Sequence, residues 1–299
     1  MNYHLKSFIL FPMNILYGIS PKKCIELMFR LKQGRKLDLK NPKTYNEKLQ
    51  WIKLYYKDER MSKCGDKYLV RSYVEGMECE DTLNTLLWSG FDPSEIPFDE
   101  LPEKFVIKTT HGSGFNIICR DKDSLDRQAT IKKLKKWLKV KYLKCYGEHW
   151  YGVEKPRVIV ESFLENIDGT PLYDYKFFCF NGEPKYVYVD TWKDGAHHIN
   201  MYDIDFNLLK EVSLGYPRDF SNIMPPKNYE ELKSVAKKLA SDFPHVRVDL
   251  YSVNDKVYFG EMTFSKGAGF DKILPFEFDE EMGSCINLGF QLKEEVQNG

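Results

Sequence analysis

Apolar residues in the first third of the chain recur with the spacing of an α-helix. In PKKCIELMFRLKQGRKL, the residues Cys24, Leu27, Met28 and Leu31 have helical spacing, with Lys and Arg between them. This pattern predicts a helix that turns one face toward the core. In NPKTYNEKLQWIKLYYKDE, a Thr followed three positions later by a Glu makes a capping box. It predicts a helix from about Tyr45 to Tyr56. The segment MSKCGDKYLVRSYVEGM predicts one more helix.

After the proline-punctuated connector FDPSEIPFDELPEK, the pattern changes to that of β-strands. The predicted strands are KFVIKTT, FNIICR, RVIVESFL, YKFFCFN and KYVYVD. Two helices interrupt them, one with an apolar stripe from Ile131 to Tyr142 and one from about Tyr229 to Ser241. Interspersed helices and antiparallel hairpins predict an α+β chain. We divide it into a mainly helical region at 1–98, a smaller lobe at 99–166 and a C-terminal lobe at 167–299.

Charge and cysteine content exclude several classes of protein. The chain has 299 residues with 44 basic and 44 acidic side chains, so its net charge is zero. A dedicated nucleic-acid binder usually carries a basic excess, so we expect no nucleic-acid partner. The seven cysteines are scattered and form no CxxC pair. This favours free thiols in the reducing cytoplasm over a disulfide framework or a zinc site.

Two segments can be interpreted either as ordinary parts of the fold or as surfaces that bind a membrane or an anionic polymer. The run FILFPMNILYGI is shorter than the about 20 residues of a spanning helix, and no signal-peptide cleavage signature follows it. For the basic helix after it we favour core packing, with peripheral contact at the inner face of a membrane as the alternative. The seven lysines between Lys132 and Lys144 form either a solvated face, which we favour, or a surface for an anionic polymer or lipid.

The segment EKFVIKTTHGSGFNIIC combines a lysine with a glycine-rich turn. A strand delivers Lys108, and Gly112, Ser113 and Gly114 follow in a short loop. Backbone N–H groups in such turns bind phosphate oxygens, and lysine adds a positive charge to the same oxygens. An ordinary hairpin turn is the commoner explanation of the same residues.

Two later strands carry charged residues near their ends. RVIVESFLENIDG places Glu161 after a buried run, followed by Phe163 and Leu164, where free backbone groups can bind the edge of a base. DYKFFCFNG places Lys176 at the start of a strand, where it and Lys108 could clamp a triphosphate. A strand leaving the core and a surface lysine are the simpler interpretations of each residue alone.

The stretch RVDLYSVNDKVYFGEMTF predicts a hairpin with charge on one face. Side chains alternate along a strand, so Arg247, Asp249 and Tyr251 share a face, as do Glu261 and Thr263. Pairing around VNDK brings Asp249 near Glu261, and two carboxylates repel unless a cation lies between them. Mg²⁺ fits that place, since one or two carboxylates and phosphate oxygens hold it. A salt bridge from Arg247 to either acid explains the spacing equally well.

The order of these segments resembles the ATP-grasp superfamily, and more narrowly the TupA-like ATP-grasp proteins of bacterial surface-polysaccharide and teichuronopeptide biosynthesis. The matching segments are NPKTYNEKLQWIKL, DKYLVRSYV, KFVIKTTHGSG, RVIVESFL, DYKFFCFNG and VRVDLYSVNDKVYFGEMTFSKGAGF. The resemblance runs from about Leu37 to Leu288. It implies the ATP-grasp fold, in which a nucleotide is held between two α+β lobes, here preceded by a helical region.

The resemblance implies nucleotide-binding roles for matching residues. The ATP-binding set would be Lys67, Lys108, the mobile loop of His111, Gly112, Ser113 and Gly114, Glu161 at the adenine amino group, and the backbone beside Phe163 and Leu164. Glu165 and Asp168 are both candidates for the ribose, and Asp168 is our choice.

The resemblance also implies a catalytic and metal-binding set. Lys176 would face the phosphates, and Arg247 would stabilise the transferring phosphoryl group. Asp249 and Glu261 would hold magnesium. Thr263 stands where the superfamily usually has an Asn, which makes it the third candidate ligand.

The implied chemistry is carboxylate–amine ligation. ATP phosphorylates a carboxylate, and an amine attacks the acyl phosphate to give an amide; positioning and charge neutralisation do most of this work. We expect a small-molecule or glycan carboxylate and an amine as substrates, for example a uronic acid and an amino acid. The alternatives are a glycan or small-molecule phosphotransferase and a glycosyltransferase-associated module. His198, Asn200 and Tyr202 alternate on one face and are expected to line the acceptor pocket.

Overall fold

The computed structural model describes residues 3–193, 195–220 and 223–289. Helices dominate the first part of the described chain. They are α1 (Tyr3–Ile9), α2 (Phe11–Ile19), α3 (Pro21–Gln33), α4 (Tyr45–Tyr55), α5 (Arg60–Cys64) and α6 (Val70–Gly76). The capping box is confirmed: Thr44 accepts from the backbone N–H of Glu47, and the Glu47 side chain binds back to the N-cap backbone.

Two helical predictions are only partly right. The single helix expected over MSKCGDKYLVRSYVEGM is split into α5 and α6, because Asp66 accepts from the backbone N–H groups of Tyr68 and Leu69 and forms a turn between them. In α3 the predicted core face exists, but Leu27 and Leu31 are exposed. Its buried residues are Cys24, Ile25, Met28 and Phe29.

The smaller sheet has four antiparallel strands in the order β1-β4-β2-β3. They are β1 (Leu86–Gly90), β2 (Phe105–Thr109), β3 (Asn116–Cys119) and β4 (Val158–Ser162), and helix α7 (Arg127–Trp137) packs on one face. Strand β1 belongs to this sheet although it lies before residue 98, in the region that we divided off as mainly helical; the division into lobes stays a prediction. This strand could not be predicted from the sequence, because LLWSG is short and its apolar and polar residues do not alternate.

The larger sheet has five antiparallel strands in the order β7-β6-β5-β8-β9. They are β5 (Asp174–Phe180), β6 (Glu183–Lys193), β7 (Ala196–Asp203), β8 (His245–Val253) and β9 (Lys256–Thr263). Helix α8 (Tyr229–Ala240) buries Leu232, Ala236 and Leu239 against one face, and each such leucine stabilises the fold by roughly 1.5–3 kcal/mol. Helix α9 (Phe276–Ser284) packs on α4. The opposite face of the sheet carries charge.

These layers confirm the α+β prediction. The seven cysteines are free thiols, as their spacing indicates. Within the described ranges, no helix combines the length and the apolar character needed to cross a bilayer.

Candidate active site

The predicted hairpin forms from β8 and β9, and Asp249 comes near Glu261 as expected. Asp249 lies directly opposite Glu261, and Arg247 lies opposite Thr263. Directly opposed residues in an antiparallel pair share a face. The hairpin therefore presents an arginine, two carboxylates and a hydroxyl on one surface.

Local backbone features of the hairpin explain its turn and its glycine. Asn254 and Asp255 both have positive φ, 52° and 62°, as a two-residue type I′ hairpin turn requires. The pairing shifts between Asp249 and Leu250, so that Gly260 is the extra residue of a β-bulge. A Cβ on Gly260 would lie 2.9 Å from the Asp249 carbonyl oxygen. A larger residue there would displace the strand that carries the acid.

Arg247 lies between the two acids and contacts both. Its Nε and Nη2 donate to Asp249 Oδ1 and Oδ2 at 2.6 Å and 2.7 Å. Nη2 also donates to Glu261 Oε1 at 3.1 Å and to Thr263 Oγ1 at 3.0 Å, and Nη1 donates to Tyr188 Oη at 2.9 Å. The salt-bridge alternative is thus present in this structure, and it joins Arg247 to both acids.

Lys176 supplies a second buried cation beside Asp249. Its Nζ donates to Asp249 Oδ2 at 2.8 Å, contacts Asp174, and lies 3.6 Å from Asp190 Oδ2. The strand register explains the cluster, since β5 pairs Lys176 with Asp249 on one side and Asp174 with Asp190 on the other. We call these six residues the charged face: Asp174, Lys176, Asp190, Arg247, Asp249 and Glu261.

The two acids of the hairpin differ in environment. The Asp249 side chain is 1% exposed and its oxygens are engaged by Arg247 and Lys176, whereas the Glu261 side chain is 41% exposed. Lys67 Nζ lies 3.7 Å from Glu261 Oε2. Burial acts to raise the pKa of Glu261, but Lys67, Arg247 and Lys176 outweigh it and lower that pKa to about 2. Glu261 is therefore an ionised carboxylate that faces the cleft.

The charge balance of this face fits a divalent cation. Its four carboxylates lie against Lys176, Arg247 and, at Asp190, His197, and Lys67 approaches Glu261 from outside. Asp174 Oδ1 is buried with no hydrogen-bond partner among the described residues. Burial, with Asp249 and Asp190 nearby, raises the pKa of Asp174 to about 7 against the opposing effect of Lys176. In the described part, no group of three His, Cys, Asp or Glu side chains is placed to hold a metal ion.

The smaller sheet turns a second set of polar residues toward the same cleft. Lys108 Nζ is 2.7 Å from Glu161 Oε2, and Arg71 Nη1 is 3.7 Å from Glu161 Oε1. The register places Lys108, Val106 and Glu161 on one face, away from α7. A pocket between the lobes is lined by Lys67, Arg71, Leu83, Asn84, Lys108, Glu161, Phe259 and Gly260. Residues predicted from separate segments therefore meet in one cleft.

The glycine-rich loop joins β2 to β3 as a hairpin connection. Gly112 and Gly114 both have φ of 74°, which only glycine adopts readily. Gly112, Ser113 and Gly114 are exposed, and His111 Nε2 bonds to the Val140 carbonyl oxygen at 3.1 Å. Lys67 Nζ donates to the Gly112 carbonyl at 3.1 Å, so the loop lies beside Lys67 at the edge of the cleft. Its binding of phosphate stays a prediction.

The segment after β4 contains the remaining nucleotide candidates. Phe163 is partly buried beneath the Arg120 guanidinium, 4.9 Å from its ring centre, and Leu164 follows outside the strand. Glu165 pairs with Lys104 at 2.6 Å. Asp168 Oδ1 accepts from Thr170 N and Oγ1 at 3.0 Å and 2.7 Å. Both acids are exposed, so the choice of ribose acceptor stays a prediction.

The expected acceptor-pocket residues do not lie on the charged face. His198 pairs with Thr191 and Asn200 with Val189 in the strand register, which puts them with Tyr202 on the face opposite the charged one. Asn200 bonds to Asp219 and Tyr202 stacks on Phe206. The alternation was right, but it selected the other set of side chains.

Of the two adjacent histidines, His197 is the one on the charged face. Its Nε2 is 2.9 Å from Asp190 Oδ1, and its ring meets the Tyr216 ring edge-on at 5.1 Å. Lys266 Nζ lies 5.3 Å from the same Tyr216 ring centre and bonds to Asp271 Oδ2 at 2.8 Å. These residues extend the charged face away from the nucleotide-side lysines.

Sequence reasoning also missed how the turn SKGAGF (265–270) after β9 is held. Side chains of α3 and α4 donate to its carbonyl oxygens and to that of the next residue. The bonds are Gln33 Nε2 to Phe270 O and Asp271 O at 3.0 Å, Asn46 Nδ2 to Asp271 O at 3.1 Å, Gln50 Nε2 to Gly269 O at 2.6 Å, and Lys53 Nζ to Ala268 O at 2.7 Å. The available signal was the helical spacing of the polar residues Asn46, Gln50 and Lys53 in NEKLQWIK.

We expect Lys53→Met to destabilise this turn. Lys53 is buried, its Nζ also donates to Tyr146 O at 2.7 Å, and Glu148 lies near it. Removing the ammonium takes a donor from the Tyr146 and Ala268 carbonyl oxygens and a cation from beside the buried Glu148 carboxyl, so we expect a loss of about 3 kcal/mol of unfolding free energy. Urea denaturation measures it. The double variant Lys53→Met/Glu148→Gln should recover part of the loss, and equal stability of wild type and single variant would contradict the anchoring role.

Comparison with known proteins agrees with the sequence resemblance. The family model described as TupA-like ATP-grasp matches residues 47–287. Among solved structures, the D-alanine–D-alanine ligase of Helicobacter pylori is 13% identical with a TM-score of 0.44, over 83% of this chain and 70% of that one. The ATP complex of the Bacillus anthracis enzyme is 13% identical with a TM-score of 0.41, over 67% and 55%.

N5-carboxyaminoimidazole synthetase of Staphylococcus aureus is 11% identical with a TM-score of 0.40, over 67% of this chain and 44% of that one. The chain thus spans between 44% and 70% of the length of these three structures. No curated protein sequence matches it. Since the family model covers residues 47–287 of 299, the chain belongs to the TupA-like ATP-grasp family.

Proposed function

We propose that this protein is an ATP- and Mg²⁺-dependent carboxylate–amine ligase that acts through an acyl phosphate. The observation that carries the proposal is the charged face, where Arg247 contacts Asp249 and Glu261 directly and Lys176 contacts Asp249. Lys67 and Lys108 approach from the other side of the cleft. Membership of the TupA-like family supports an acceptor from bacterial surface-polysaccharide biosynthesis, such as a uronic acid joined to an amino acid.

Binding of ATP would use the cleft between the two sheets. Lys108 is held by Glu161, and Lys67 lies between the Gly112 carbonyl and Glu261. Both ammonium groups can contact phosphate oxygens as point charges. Glu161, Phe163 and Leu164 would receive the base, as the family resemblance implies. The nucleotide would then run from the smaller sheet toward the hairpin.

Phosphoryl transfer would take place over the charged face. Glu261 and Asp249 would hold magnesium, and the ion would neutralise phosphate charge. Arg247 presents a planar guanidinium whose donors suit phosphate oxygens as well as the carboxylates it now contacts. Lys176 would stay buried as a cation that aligns Asp249 and Asp174, because those two acids raise its pKa despite the opposing effect of burial.

The acceptor would bind beyond Lys176, where Asp190, His197, Tyr216 and Lys266 lie together. A carboxylate and an ammonium of the protein are both present there, and aromatic rings pack beside them. Such a mixture suits an amino acid, which has charges of both signs, and a uronic acid, whose carboxylate can pair with an ammonium. Burial lowers the pKa of Lys266 and Asp271 opposes that effect.

Product analysis tests the reaction class directly. Purified protein is incubated with ATP, magnesium, a panel of amino acids and uronic acid glycans, and ADP release is followed with mass analysis of the acceptor. A ligase releases ADP and phosphate only when both a carboxylate and an amine are present, and it forms an amide. Phosphate retained on the acceptor would establish a phosphotransferase instead. Consumption of a nucleotide sugar without ATP turnover would support the glycosyltransferase alternative.

We expect Lys108→Ala to weaken ATP binding. The variant removes a charged donor from the cleft and leaves Glu161 paired only with Arg71. Loss of one charged hydrogen bond corresponds to about tenfold to hundredfold in the dissociation constant, measurable by calorimetry. Lys135→Ala is the matched control, because that lysine lies in the same lobe but pairs with Asp92 on the surface. Equal affinity of Lys108→Ala and wild type would contradict the role.

A further inference from the structure

Helices α1 and α2 form an apolar surface that the rest of the described chain does not cover. Leu10, Met13, Leu16 and Tyr17 point inward and pack against a core cluster with Ile25 and Phe29. On the other side, Phe8, Phe11, Ile15 and Ile19 are between 51% and 79% exposed. We call these four residues the outer face. Their spacing puts them in one row along the helices.

This exposure is unusual for a surface helix. Helix α2 contains no charged residue and no buried residue, so both of its sides are apolar while one of them faces outward. A helix that is apolar all round is normally covered. Contiguous exposed apolar patches mark interaction sites for proteins or membranes.

The charged residues around the outer face indicate which kind of surface it binds. Between Leu5 and Leu37 the sequence has seven Lys or Arg and one acid, Glu26, although the whole chain has zero net charge. Lys6 lies over the Tyr146 ring at 4.8 Å, and Lys22 and Lys23 are exposed directly after α2. In a two-fold symmetric contact between copies, the basic residues that border the outer face of one copy would face those of the other and repel them. An anionic lipid surface complements both the apolar row and its border.

We propose that the outer face docks the protein on an anionic membrane surface, with α1 and α2 lying in the plane of the interface. Apolar side chains would enter the boundary between head groups and acyl chains, and the bordering lysines would contact lipid phosphates. This mode requires no spanning helix. The sequence offered membrane contact through α3 as an alternative. That contact would involve less apolar surface, because α3 buries one side in the core and contributes its lysines. The proposal is independent of the reaction catalysed.

Sedimentation of the full chain with vesicles tests the proposal. We expect binding to vesicles of phosphatidylcholine with phosphatidylglycerol and much weaker binding to phosphatidylcholine alone. Phe11→Asp/Ile15→Asp should lower the partition coefficient at least about tenfold, because it places charge in the apolar row. Lys22→Ala/Lys23→Ala should lower it about tenfold on anionic vesicles. Val153→Asp, at an apolar residue 63% exposed in another part of the surface, should bind as wild type does.

Two outcomes would overturn the proposal. One is a wild-type chain that binds neither vesicle type while remaining monomeric in light scattering. The other is self-association that Phe11→Asp/Ile15→Asp abolishes, without vesicle binding by the wild type, which would make the outer face an interface between copies. Circular dichroism of each variant verifies that the fold is kept, so a loss of binding is assigned to the surface.

Discussion

Replacing Glu261 by Gln is expected to lower ATP turnover by about 1,000-fold, the upper range for removing one preorganised charge-stabilising group. The side chain is partly exposed and its nearest cations are Arg247 and Lys67, so the amide fits the same space. With its pKa at about 2, the wild-type carboxylate is ionised at every pH where activity is measured. The variant therefore removes one negative charge from the proposed magnesium site and little else.

Glu183→Gln is the matched control for this measurement. That carboxylate has a similar exposure, 51%, but it pairs with Lys237 at the start of β6, away from the cleft. Turnover is followed by ADP release as a function of magnesium concentration, and thermal unfolding checks the fold. Unchanged turnover in a folded Glu261→Gln protein would remove the acid from the proposed mechanism. A loss that higher magnesium partly restores would support a role in holding the ion.

The hairpin residues could be predicted from sequence because their arrangement depends on local rules. Alternation along each strand groups Arg247 with Asp249 and Glu261 with Thr263, and the β-bulge at Gly260 then shifts the register so that Asp249 lies opposite Glu261. The capping box of α4 is equally local. Elements of this kind are specified by residues within a few positions of each other, and there the predictions are confirmed.

The rest of the charged face depends on contacts that no local rule specifies. Asp174 and Asp190 join it because β5 lies between β6 and β8 in the sheet, an order that alternation does not contain. The lack of a local rule also explains why the sequence favours His198 and not His197. Alternation along a strand defines two faces, and only the packing of α8 shows which face is buried. Likewise, Gln50 and Lys53 look like ordinary helix residues until the SKGAGF turn is folded against them.

Lys176→Met is expected to cost both stability and turnover. The methionine fits the volume but leaves Asp174, Asp190 and Asp249 close together without the cation that contacts them. Breaking a buried charge cluster by removing one partner costs about 3–5 kcal/mol. Lys237→Met, which breaks the exposed pair with Glu183, should cost less than about 1 kcal/mol. Urea denaturation of both variants gives the comparison.

The pH dependence of that loss distinguishes a charge effect from a packing effect. The pKa of Asp174 is already raised to about 7 by burial and its acidic neighbours, so its protonated form is the one that folding favours. A raised carboxyl pKa contributes stability that is present below about 4, the value of an unfolded Asp, and is lost as pH rises through the folded value. Without Lys176 this penalty increases, and the deficit of Lys176→Met should be larger at pH 8 than at pH 5. A deficit independent of pH would show that the lysine acts by filling space and not by its charge.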